Sequence, residues 1–235
     1  MNLFSLSQMA ALFMEYRGLF LNGILTTLLL SMLTVSLGTI LGTFTALARL
    51  SRWKPISWLA TAYIEIFRAT PLMVQVMIIY FGAAAFGLKV KLFSSIISDF
   101  NCYFWGILCL TLNSGAYVAE IVRSGINAVE TGQEEAARSL GMSRWLSMRL
   151  VILPQALRNI LPALMNEFVA IIKETSIVSL VGISEIMFRA KDVIAISYRT
   201  LEPYMIAGIA YFLIVFPLSK LVLRLERRLN VSGKN

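Results

Sequence analysis

Arg68, Glu120, Glu167, Lys173 and Glu174 are ionisable side chains set within largely apolar sequence, and Gln75, Asn113, Tyr117 and Asn166 add neutral polar groups to the same stretches. A charge at the centre of a membrane helix costs about 3 kcal/mol on insertion scales, so such groups persist only where they face neighbouring helices or a water-filled path. Their chemistry is that of binding: an arginine receives a carboxylate, a glutamate receives an ammonium, and amides orient whatever lies between. A zwitterionic amino acid needs such a pair. The chain has no histidine, hence no imidazole base, proton relay or histidine metal ligand. It has no H-E-x-x-H either, which leaves an intramembrane enzyme without its usual parts.

The elements that must hold these residues are membrane helices. Of 235 residues, 58% are hydrophobic and 14% charged, too little polar sequence to clothe a water-soluble domain of this size. Gly18 to Ala48, Ala69 to Leu88, Phe100 to Ala119 and Pro203 to Ser219 carry no charge at all. The first is longer than the roughly 20 residues that cross a bilayer core. It follows no basic n-region and exceeds the length of a signal h-region, so it is expected to remain as the first span. A further apolar stretch, Asn159 to Leu180, contains Glu167, Lys173 and Glu174 and must turn that side toward other helices. The expected fold is all-α: five transmembrane helices near residues 19–48, 57–85, 100–123, 156–180 and 203–223. An external segment 1–18, a membrane domain 19–228 with a cytoplasmic loop 124–155, and a tail 229–235 complete the division.

Charge sets the orientation. Arg49, Arg52, Lys54, Arg123, Arg138, Arg144, Arg149, Arg158, Lys220, Arg224, Arg227, Arg228 and Lys234 fall on one side, and only Arg17, Lys89, Lys91, Arg189, Lys191 and Arg199 on the other. The positive-inside rule places the larger set in the cytoplasm, with the N-terminus outside and the C-terminus inside. The net charge of +8 then reads as topology and contact with anionic headgroups, not as a nucleic-acid surface, because the basic residues are spread over three loops. Gly38 and Gly42 form a G-x-x-x-G suited to close helix contact, and the methionines read as gap-fillers. Cys102 and Cys109 are two helical turns apart, about 10 Å by rise, too far for a disulfide.

Depth brings the polar residues to one level. If the second span enters near Trp58, Arg68 lies about 15 Å in, Asn113 of the third span at a similar height, and Glu167 of the fourth about 12 Å deep. Asn113, Tyr117 and Glu120 share one helix face, and Glu65, Arg68 and Gln75 fall in one sector of the second span. Pro71 removes a backbone hydrogen bond beside Arg68. Pairing of these charges with one another is the competing structural reading.

The loop between the third and fourth spans reads "EEAARSLGMSRWLSMRLVILPQALRNILPAL", residues 134–164. Thr131 and Glu134 fit a capping box, and Gly141 sits where a terminating glycine belongs. A helix of two turns is too short to stand alone. Its apolar residues, Ala136, Ala137 and Leu140, suit a close-fitting protein groove better than a lipid surface, whereas Trp145 suits the membrane interface.

This stretch resembles the EAA loop of binding-protein-dependent ABC importer permeases, whose pattern is E-A-A, three residues, G, nine residues, I-x-L-P. Glu135, Ala136, Ala137, Gly141, Leu153 and Pro154 match it, with Val151 in place of the isoleucine. "FRATPLMVQ" (67–75), "NSGAYVAEIVRSGI" (113–126), "LPQALRNILPALMNEF" (153–168) and "KETSIVSLVG" (173–182) are similar to the polar amino-acid branch, and the likeness spans residues 18–228. The resemblance implies a type I, MetI-like permease fold in a bacterial plasma membrane and a transport role. Glu135, Ala136, Ala137, Leu140 and Gly141 would form the coupling helix seated in a dimer of ABC ATPase subunits. Arg68, Gln75, Asn113, Tyr117, Asn166 and Glu167 would line the substrate path. It further implies an extracytoplasmic amino-acid-binding protein, which the outer segment 183–202 could meet, and a second permease subunit, identical or related. The chain has no G-x-x-x-x-G-K-[ST] phosphate loop, so ATP and Mg are expected on the partner and no cofactor here. A secondary transporter or a non-transporting scaffold are the alternatives. The first would normally carry internal repeats, which this chain lacks, and the second leaves the midplane polar residues without a role.

Overall fold

The computed structural model describes residues 6–90 and 100–231, and every regular element among them is helical. The beginning of the external segment (1–5), Lys91 and the end of the tail (232–235) lie outside the described residues.

Helix α1 (Leu6–Arg49) continues well before the apolar run and bends at Tyr16 (φ −106°, ψ 18°). Its buried stripe is small or hydroxylated, including Gly23, Thr27, Ser31, Thr34, Gly38, Gly42 and Thr45, while Leu25, Leu29, Met32, Ile40 and Phe44 point outward. That is the inverse of a water-soluble helix. Hydrocarbon wets the large side chains, and small ones allow backbones to approach. The hydroxyls fold onto their own helix, Ser31 Oγ donating to the Thr27 carbonyl at 2.7 Å and Thr45 Oγ1 to that of Leu41 at 2.8 Å. A Cβ at Gly38 would fall 2.9 Å from Ser114 Oγ, and one at Gly42 2.6 Å from the Gly115 carbonyl oxygen of α4 (Phe100–Asn127). The G-x-x-x-G therefore seats α1 against α4, the central helix of the bundle.

The second expected span is not one straight helix. It consists of α2 (Lys54–Ala69) and α3 (Leu72–Ala85), whose axes bend by 111° at Thr70–Pro71. Pro71 offers no N–H to the Phe67 carbonyl and forces Thr70 into an extended conformation (φ −112°, ψ 145°). Among the described residues, three helices, α1, α4 and α9 (Leu201–Val231), are long and apolar enough to cross a membrane, and the α2–α3 pair makes a fourth if counted together.

After α4 the chain forms α5 (Thr131–Ser139), α6 (Arg144–Ser147), a π turn over Met148–Ile152 and α7 (Leu153–Glu174). The stretch expected as one span to residue 180 tightens into a 3-10 turn from Thr175 to Val181, closed by Gly182 at φ +93°. The outer segment then folds as α8 (Ile186–Ser197), fixed at its start. Glu185 is fully buried, accepts from the backbone N–H groups of Met187 (2.9 Å) and Phe188 (2.7 Å), and receives the Tyr211 hydroxyl of α9. Thr27 Oγ1 of α1 accepts from the Ile186 N–H at 3.3 Å. Three apolar clusters run through the bundle, and the one nearest α5 joins Ala46, Ile64, Val118, Ala119, Val122, Ala156 and Ile160.

Candidate functional site

Two sites take shape, a knob at the α5 end and a polar cleft between α4 and α7. At the knob, the capping box does not form: Glu130 is the N-cap, Thr131 already belongs to the first turn, and no side chain caps the start. The far end closes as the glycine position requires. Gly141 takes φ +84°, its N–H donates to the Arg138 carbonyl at 3.0 Å, and the Met142 N–H reaches back to that of Ala137 at 3.2 Å, a Schellman closure. Arg138 Nη1 adds a hydrogen bond to the Met142 carbonyl at 2.6 Å.

The knob has an inner and an outer side. Ala137 is 4% exposed and turned into the chain, where α5 packs on the 148–152 turn. Glu135, Ala136 and Gly141 face out, and Leu140 is 83% exposed. Gln155 Nε2, in the first turn of α7, donates to Gln133 Oε1 at 3.2 Å and ties α5 to that helix. Ala137 is thus the one member of the predicted set that cannot present its side chain to another molecule.

Gln75 and Asn113 occupy a different place from a cavity wall. Gln75 Nε2 donates to the Phe67 carbonyl at 2.8 Å, to that of Thr70 at 3.0 Å and to Thr70 Oγ1 at 2.8 Å. The Phe67 carbonyl is the acceptor that Pro71 leaves without its helical donor, so a side chain from α3 supplies the missing N–H. Asn113 Nδ2 donates to Gln75 Oε1 at 2.9 Å, and both residues are buried. They form a plug across the α2–α3 break and do not line the cleft. The sequence signal was present in Pro71 with a glutamine one helical turn beyond it.

The cleft itself, of about 310 Å³, is lined by Arg68, Tyr117, Glu120, Ser124, Asn159 and Ala163 among others. Glu120 is its hub. Arg49 Nη1, from the end of α1, lies 3.0 Å from Glu120 Oε2, and Arg123, one turn along α4, binds the other oxygen through Nε and Nη2. Arg68 Nη1 stands at 3.8 Å, with its guanidinium carbon 5.6 Å from the centroid of the Tyr117 ring. Expectation left Glu120 between structure and substrate; its bonds are to arginines of three helices, and the involvement of Arg49 was not foreseen because it ends a different span. Ser124 and Asn159 were likewise not singled out. Asn159 Nδ2 donates weakly to the Gly125 carbonyl at 3.4 Å.

Along α7, Asn166 and Glu167 continue the stripe begun by Asn159 and Ala163. Asn166 is exposed and Glu167 half-buried. Glu167 faces Ser114 of α4, whose buried hydroxyl has no hydrogen-bond partner among the described residues. Of the predicted path residues, Arg68 and Tyr117 meet in the cleft, Asn166 and Glu167 extend it, and Gln75 and Asn113 lie behind it.

The profile of the family described as "Binding-protein-dependent transport system inner membrane component" matches residues 38–231. The arginine transport system permease protein ArtQ of Bacillus subtilis is 39% identical over 89% of this chain and 91% of its own length. The nopaline transport system permease protein NocM of Agrobacterium fabrum is 42% identical over 87% of this chain and 85% of its own. A crystal structure of an amino acid ABC transporter with histidines superposes with a TM-score of 0.85 at 44% identity, covering 92% of this chain and 96% of that one. The MetNI methionine ABC transporter superposes with a TM-score of 0.70 at 18% identity, over 90% and 96% of the two chains, a likeness of fold.

Proposed function

The chain belongs to the family of binding-protein-dependent transport system inner membrane components, and from that premise we propose how its two sites serve one another. It is a permease subunit of an amino-acid ABC transporter in the bacterial inner membrane. ATP and Mg belong to a separate ATPase dimer, and the knob of Glu135, Ala136, Leu140 and Gly141 is its seat. The carrying observation is Leu140, 83% exposed on a helix whose end is rigidly closed. A bare leucine on a short polar helix is the anchor of a contact made elsewhere.

The membrane arrangement has five spans, with α2–α3 and α7 as the two that a test of length and composition does not pass singly. The N-terminus is outside and the C-terminus cytoplasmic, which brings α5 to the ATPase and α8 to the extracytoplasmic binding protein. ATP-driven closure of the ATPase pair moves α5, and the Gln133–Gln155 bond carries that movement into α7. The stripe holding Asn166 and Glu167 then shifts against Arg68 and Tyr117, opening the path to alternate sides. Gln75 and Asn113 contribute by fixing the α2 end that carries Arg68. A second permease subunit completes the path about a two-fold axis. The cargo is a polar amino acid, in keeping with the arginine, glutamine and nopaline systems named for the relatives.

Reconstitution tests this directly. With its ATPase and binding protein, the permease in liposomes should accumulate amino acids only when ATP is supplied. Uphill accumulation by this polypeptide alone would refute the reading. Glu167→Gln should change the rate or the set of amino acids carried; unchanged specificity and rate would remove it from the path.

A further inference from the structure

The three guanidinium groups around Glu120 are not equivalent, and the odd one faces open space. Arg49 and Arg123 hold both carboxylate oxygens at hydrogen-bond distance, whereas Arg68 reaches Oε2 only at 3.8 Å, beyond a hydrogen bond. Its side chain is 41% exposed, against 27% for Arg49 and 35% for Arg123. The same guanidinium leans over Tyr117 and forms part of the cleft wall, with the Ser124 hydroxyl and the Asn159 amide alongside. One carboxylate cannot neutralise three guanidiniums, so the cleft retains positive charge at a depth where uncompensated charge is costly. What the cleft lacks is an anion.

We propose that the cleft between α4 and α7 is a carboxylate site in which Arg68 is the binding cation and Glu120 its built-in competitor. This rests on the transport reading above and deepens it by naming the group recognised, the α-carboxylate of the amino-acid cargo. In the empty cleft Arg68 is parked between Glu120 and Tyr117. An arriving carboxylate offers the planar fork two short charge-assisted hydrogen bonds in exchange for one long contact. Ser124 and Asn159 can donate to the same group. Glu120 stays held by Arg49 and Arg123, so cargo release needs no rearrangement of the helix ends: Arg68 returns to its parking place. Glu120 is therefore a positioning residue that weakens binding enough for the cargo to leave, which is what transport requires of a site on the path.

The test uses the purified permease–ATPase complex in nanodiscs without binding protein. Binding of L-arginine and L-glutamine is measured by competition with the labelled amino acid, alongside the α-amides L-argininamide and L-glutaminamide. The expected result is binding of at least one of the two amino acids, with its amide more than tenfold weaker. Arg68→Gln should abolish that preference, leaving acid and amide alike. Glu120→Gln should do the opposite and tighten the acid by about threefold to tenfold, a gain that misfolding cannot produce. Amides that bind as well as acids, Arg68→Gln that keeps the preference, Glu120→Gln that weakens or leaves binding unchanged, or no binding of either amino acid would each overturn the proposal. Failure of the transport reading is separately visible, because the wild-type complex would then show no ATP-dependent uptake with its binding protein.

Discussion

Gln75 shows how a polar side chain at bilayer depth can belong to the backbone. Its amide stands in for the N–H that Pro71 lacks, and Asn113 holds the other end of that amide. Replacing Gln75 with Leu leaves the Phe67 and Thr70 carbonyls without donors, and a buried acceptor without its partner costs about 1 to 3 kcal/mol. Thermal unfolding of the Gln75→Leu variant in detergent should shift down by several degrees, as roughly 2 to 4 °C accompanies each kcal/mol at this chain length. Unfolding at the wild-type temperature would mean the plug bears no strain. The pair was legible in the sequence as polar residues near the depth of Arg68, but periodicity places a residue on a face and does not say whether that face meets cargo or a broken helix end. Glu120 was ambiguous for the same reason. Its partners Arg49 and Arg68 come from helices whose mutual approach the sequence does not fix.

Helices are where the sequence spoke most clearly, and their ends are where it spoke least. The G-x-x-x-G of α1 announces a close contact, and the contact is with Ser114 and Gly115. Gly42→Leu should prevent that approach and leave little folded protein in the membrane, as judged by resistance to limited proteolysis; a fully resistant variant would show that α1 and α4 can separate. Gly141 was legible too, since a positive φ after a short helix favours glycine. Gly141→Val places a β-branched residue at φ +84°, at a cost of about 1 to 2 kcal/mol, and should lower uptake per ATP hydrolysed. Gly141→Asn tolerates that conformation and should retain most of it. Equal uptake per ATP for the valine and wild-type proteins would separate knob geometry from coupling. The missed features are a matter of competition between local rules. Thr131 and Glu134 satisfy a capping pattern, yet the helix begins one residue earlier, and the 111° bend exceeds what one proline in a continuous pattern would suggest.

At the scale of the whole subunit, the bundle leaves its polar stripe on α7 and its knob on α5 unfinished. Leu140 contributes little to the chain's own stability, because it is mostly outside it. Leu140→Asp should therefore leave unfolding within about 0.5 kcal/mol of the wild type while reducing the ATPase that co-purifies with a tagged permease. Undiminished recovery of ATPase would place the contact elsewhere on the loop.

The opposite end carries a consequence of its own. The segment from Glu185 to Ser197 is already a helix, pinned by a buried carboxylate to α9 and by a threonine to α1. A visitor arriving there meets a finished landing pad and need not organise it. Calorimetry of the docking should accordingly lack the large entropic penalty of a loop that folds on contact. Arrival should be governed by how quickly the two surfaces find each other in solution.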